Sequence, residues 1–334
     1  MTRDDEPGTG PMLDTSPHLL QRVLGLLRVS APALALAALA AAFVGGSRGL
    51  GTLPRLTYGY AGAAVAALLC VHVLNGLRWY LLARRLRLPL GPARAVAYQI
   101  EGQFFAFLAP GGLGGDVSRA SRLTRLSGDM DSTVATVLVS RLMALAATAV
   151  TAFAAIVTGV ADTEQLGPAS VAFIGVAALL GLTSVWWLPS VTARIPGSWA
   201  RRLTGALRSF EAPELIGGGI LTAAAQVIGV LLYYLIIRSF GLSLGLVPIL
   251  AVTVMSSLAS LAPTLGNGAG VREAGMYATL LAFGVPSAIA AGVGVENLLI
   301  QVAVSLLGGL VSVLDRTPQG GEASAPGASR EETQ

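Results

Sequence analysis

The sequence contains no lysine: all 22 of its basic residues are arginine. It has one cysteine, Cys70, and two histidines, His18 and His72. A lone cysteine in an apolar run excludes an intrachain disulfide and a thiolate metal cluster. Two distant histidines offer no metal-ligand spacing, so no metal and no cofactor is expected. Charge is scarce as well. Only 12% of residues are charged and 54% are hydrophobic, whereas a soluble domain carries about 25% charged residues. That deficit leaves lipid as the main solvent. The formal charge of +4 is no sign of nucleic-acid binding, because the arginines sit where membrane loops belong. No nucleotide-binding motif is present, so ATP could drive this chain only through another protein.

What is there is a series of apolar runs of about 20 residues, enough to cross roughly 30 Å of hydrocarbon. They cover residues 29–44, 58–82, 132–160, 169–188, 216–237 and 288–313. Arginine-rich stretches separate them: Arg84, Arg85, Arg87 and Arg94; then Arg119, Arg122 and Arg125; then Arg194, Arg201, Arg202 and Arg208. The positive-inside rule places these stretches, and both termini, in the cytoplasm. The last arginine-rich stretch has room for a short interfacial amphipathic helix. Trp186 and Trp187 read as interface anchors. Residues 1–20 and 317–334 are polar or low in complexity and read as disordered cytoplasmic tails flanking an integral domain over 21–316.

Two segments break the pattern. Residues 95–109 are apolar but too short to span, carry Gln99, Glu101 and Gln103, and run into Pro110, Gly111, Gly112, Gly114 and Gly115, followed by Asp116 and Arg119. Residues 246–262 run into Pro263, Gly266, Gly268 and Gly270, followed by Arg272 and Glu273. Each reads Leu-Ala-Pro, a glycine-rich turn, then an arginine opening a second half-helix. Proline and glycine end helices. The charge pattern makes the first a hairpin entered from the cytoplasm and the second one entered from outside. Broken segments at matching positions in two halves, centred on 95–127 and 246–284, point to an inverted repeat and a transport site. The expected fold is therefore an all-α polytopic membrane protein with about six full transmembrane helices and two re-entrant helical hairpins.

Certain strings resemble the flippase-like membrane domain of the lysylphosphatidylglycerol synthases. They are Asn75-Gly-Leu-Arg78-Trp79, Leu108-Ala-Pro110 with Gly115-Asp116-Val-Ser-Arg119, Ser140-Arg141, and Gly268-Ala-Gly270-Val-Arg272-Glu273 followed by Gly284-Val285-Pro286. The similarity covers about residues 20–316. It implies movement of a lipid between leaflets in a bacterial inner membrane. It also implies that the aminoacyl-transfer domain of the full synthases is missing here, since the chain stops soon after Arg316.

A charge at the centre of a span costs about 2.5–3.5 kcal/mol on insertion scales, so each one is a candidate for function. Arg119 and Arg272, beside half-helix N-termini with free N–H groups, suit a phosphate. Asp116 and Glu273 are expected to pair with them locally. Glu101, Arg141, Arg78, Asn75, Glu296 and Asn297 complete the candidate set, with Glu296, Asn297 and Gln301 on one helical face turned to the bundle. The expected partner is a membrane lipid, anionic or phosphate-bearing. Self-association or a partner in envelope synthesis stays open. The lack of a catalytic cluster weighs toward a translocator over an enzyme. The alternatives are an intramembrane lipid-modifying transferase and a non-catalytic partner of cell-envelope lipid enzymes.

Overall fold

The computed structural model describes residues 57–109, 112–157, 186–259 and 267–314, with a few positions between 176 and 184. Every regular element among them is helical. In chain order they are α1 (Tyr58–Arg85), α2 (Pro92–Leu108), α3 (Leu113–Ser127), α4 (Met130–Val157), α5 (Ser198–Arg208), α6 (Ala212–Ser239), α7 (Leu246–Ala259), α8 (Val271–Ala282) and α9 (Ser287–Leu314). Residues 186–192 are also helical. The expected run over 29–44, both tails and most of 169–188 lie outside the described residues.

Local chemistry sets the boundaries. Pro92 and Pro213 open α2 and α6 within their first turns, where a missing N–H costs nothing. Gly128 closes α3 by donating its N–H to the Thr124 carbonyl at 2.8 Å. Asp129 then caps α4, its carboxylate accepting from the Ser132 N–H at 3.0 Å. The Ser132 hydroxyl and N–H hold that carboxyl below the usual range. At α8, the Glu273 carboxylate reaches back to the Gly270 N–H at 2.7 Å, one half of a capping box.

Among the described residues, four helices, α1, α4, α6 and α9, are long and apolar enough to cross a membrane. The bundle shows the polarity expected of one. Ile216, Ile220, Val227, Leu306 and Leu310 are exposed, while Arg78, Glu101, Arg272, Glu296 and Asn297 are buried. Helices that turn apolar faces outward and charges inward suit an apolar solvent. This is a multi-pass, all-α membrane protein.

Contacts fix which ends lie together. The Thr57 N–H donates to the Ser239 carbonyl at 3.0 Å, while Arg85 pairs with Glu211 and bonds the Ser209 carbonyl at 2.8 Å. Thus α1 and α6 run antiparallel, and one end of the bundle gathers Arg84, Arg85, α5 and the start of α4, where Arg202 pairs with Asp131. The expected amphipathic helix is α5, which buries Ala200, Leu203, Thr204 and Leu207. Trp186 and Trp187 are exposed, as interface anchors would be.

The two broken segments become helix pairs. In the first, Gly102 lies against Gly115 and Phe105 against Gly114, so α2 and α3 are antiparallel with both outer ends at the arginine-rich end. The second pair starts seven residues past Ser239. It returns through Gly284 to α9, whose Gly292 packs on Phe240, so its outer ends lie at the opposite end. The tips meet. A Cβ on Gly112 would sit 2.5 Å from the Asn267 Oδ1. Both residues are left-handed, with φ of 67° and 56°. Only glycine fits at 112, and asparagine is among the few side chains that tolerate the conformation at 267. Pro110, Gly111, Pro263 and Gly266 lie outside the described residues.

Candidate functional site

The first cluster forms where α1, α2, α3, α4 and α6 meet. Asp116, in the first turn of α3, accepts from Arg119 one turn later and from Arg141 of α4. Arg119 also donates to the Gln99 side-chain carbonyl on α2, and its guanidinium lies 5.6 Å from the Trp79 ring centre. Trp79 is held by its indole N–H, which donates to Thr136 at 3.0 Å. Arg78 is 4% exposed. It donates to the hydroxyls of Ser140 (3.2 Å) and Thr222 (3.1 Å) and lies near enough to Asp116 and Arg119 to feel both charges.

The hydroxyls here follow one rule. Thr136 gives its own hydrogen to the Thr133 carbonyl at 2.7 Å, and Thr222 gives its own to the Gly218 carbonyl at 2.7 Å. A hydroxyl has one hydrogen, so each can then only accept from Trp79 or Arg78. The cluster is thus a set of donors turned inward. Among the described residues, one carboxylate faces three guanidiniums.

The second cluster sits at the start of α8. Arg272 is 2% exposed and pairs with Glu273 at 3.0 Å. Asn297 of α9 donates to Glu273 at 3.1 Å. The Nη2 of Arg272 has no hydrogen-bond partner among the described residues. Nearby on α9, the Glu296 carboxyl bonds Ser239. Tyr233 bonds Ser256 between α6 and α7.

Some of the expected residues lie elsewhere. Glu101 is buried, but it joins Arg122 (2.8 Å) and Ser312 (3.1 Å) on the arginine-rich side of Arg119. Asn75 is half-buried one turn before Arg78 and makes no side-chain hydrogen bond among the described residues. Arg119 and Arg272 each stay with the carboxylate of their own helix pair. Gln99, Trp79, Ser140, Thr222, Ser239 and Tyr233 enter the clusters without having been singled out as site residues. Their signal in sequence was weak, since a serine or threonine in an apolar helix normally bonds its own backbone.

The family model described as the lysylphosphatidylglycerol synthase TM region matches residues 23–309. No curated protein and no solved structure gives a match.

Proposed function

The chain belongs to the lysylphosphatidylglycerol synthase transmembrane-region family, and from that premise we propose that it carries a phosphate-bearing lipid headgroup between the leaflets of a bacterial inner membrane. The charge imbalance at the first helix pair carries this reading. Asp116 answers Arg119 and Arg141, while Arg78 is buried with hydroxyls for company. A buried cation without a carboxylate is costly, and an incoming phosphate would remove that cost. Guanidinium forks match phosphate oxygens in pairs.

In this mechanism the headgroup enters at the arginine-rich, cytoplasmic end and displaces Asp116 from Arg119 and Arg141. It then passes the tips at Gly112 and Asn267 and meets Arg272, whose Nη2, without a partner among the described residues, is a ready donor. The two helix pairs act as re-entrant hairpins of an inverted repeat. Their tips at Gly112 and Asn267 lie against one another, which is how broken backbone is tolerated at depth. The acyl chains stay in lipid, beside the exposed apolar faces of α6 and α9.

The test is lipid movement by purified protein in liposomes, with labelled phosphatidylglycerol, its lysyl ester and a polyprenyl phosphate. Wild type is expected to move at least one of them, and an Arg119→Ala/Arg272→Ala double variant to lose that movement. A folded double variant that moves lipid at the wild-type rate sinks the proposal.

A further inference from the structure

The hydrogen count at Ser239 differs from what its neighbours suggest. Its Oγ lies 2.6 Å from the Ile236 carbonyl, one turn back on α6, and also bonds Oε2 of Glu296 on α9. Both partners are acceptors if Glu296 is ionised, and Ser239 has one hydrogen to give. Thr136 and Thr222 give their hydrogen to their own helix and accept from a cross-helix N–H donor. Applied to Ser239, this rule makes Glu296 the donor, which requires a proton on its carboxyl.

The surroundings agree. Glu296 is 7% exposed, and its Oε1 has no partner among the described residues. No arginine among them forms an ion pair with it. From α6, Arg238 turns to Ser243 and to the Tyr60 ring of α1, 5.8 Å away. From α8, Arg272 is engaged by Glu273. A bare carboxylate there would lack compensation, and such groups neutralise instead. A protonated carboxyl needs only one acceptor, which Ser239 supplies.

We propose that Glu296 is a proton-binding site, protonated while α9 is closed on α6 and exchanging its proton when they part. The carboxyl O–H bond breaks as α9 and α6 separate. The proton leaves to water at the end of the bundle that carries Ser239, and on closure the carboxylate takes a proton that comes from water at the arginine-rich end. One proton then accompanies each headgroup. The coupling rests on the translocation reading, whereas the protonated carboxyl does not.

Two measurements separate these parts. Infrared spectra of wild-type protein in lipid nanodiscs at neutral pH are expected to show the carbonyl band of a protonated carboxyl, absent from Glu296→Gln and kept in Glu273→Gln. Glutamine preserves shape and can donate to Ser239, so this variant should fold. A band that survives in Glu296→Gln overturns the site. In liposomes, an imposed pH gradient should change the wild-type rate of lipid movement severalfold and leave Glu296→Gln indifferent. A wild-type rate that ignores the gradient overturns the coupling and leaves lipid movement standing. A band lost as expected from a protein that moves no lipid overturns the translocation reading and leaves the proton site in place.

Discussion

Asp116 shows at the scale of one residue how a membrane interior handles charge. It lies in the first turn of α3, where a negative charge suits the helix N-terminus, and it answers arginines from two helices. Removing it leaves those guanidiniums partly buried and unanswered. Asp116→Ala should therefore destabilise the protein by about 3–5 kcal/mol, read as an earlier thermal unfolding transition in detergent. An unchanged transition would mean that water already serves Arg119 and Arg141. Arg78 makes the complementary point. The sequence marks it only as a charge in an apolar run, and it is buried against Ser140 and Thr222. Nothing in a linear sequence announces that hydroxyls at positions 140 and 222 will meet position 78.

At the scale of the element, close approach decides how the helices pack. Without a hydrophobic driving force between them, membrane helices associate where small residues let backbones touch. A Cβ on Gly308 of α9 would lie 2.2 Å from the Ile100 carbonyl oxygen of α2, so α9 has no room for a side chain there. Gly308→Ala should cost about 1–3 kcal/mol and loosen α2 from α9, seen as faster proteolysis of the first helix pair. A variant as protease-resistant as wild type would show that α9 can shift aside freely. The elements themselves were legible in advance. The expected runs at 58–82, 216–237 and 288–313 became α1, α6 and α9, α1 extended at its C-terminal end and the other two at both ends. The short segments became helix pairs because proline and glycine leave a helix few ways to continue. The site was legible only in part. Asp116 with Arg119 and Arg272 with Glu273 are neighbours in sequence as well as in space. Glu101, by contrast, pairs with Arg122 rather than joining Arg119, because α2 and α3 cross in a register that depends on the Gly102–Gly115 contact.

At the scale of the whole molecule, the arrangement of ends is open to a direct test. Arg208 lies at the arginine-rich end and Gly241 at the other, and both are exposed. With Cys70 replaced by alanine, a cysteine at 208 should react with an impermeant maleimide only from the cytoplasmic side. One at 241 should react only from outside. Labelling of both from one side would contradict the fold as well as its orientation.

The contact between Gly112 and Asn267 also bears on how the membrane voltage is distributed. If the two helix pairs are the proposed re-entrant hairpins, water would approach from either end, and the insulating layer would narrow to the contact between Gly112 and Asn267. The electric field would then concentrate there. A charge crossing the full drop gains or loses about 2.3 kcal/mol per 100 mV. An anionic headgroup stepping past those turns would feel most of that drop over a few ångströms. In a cell that is negative inside, the voltage alone would push it outward.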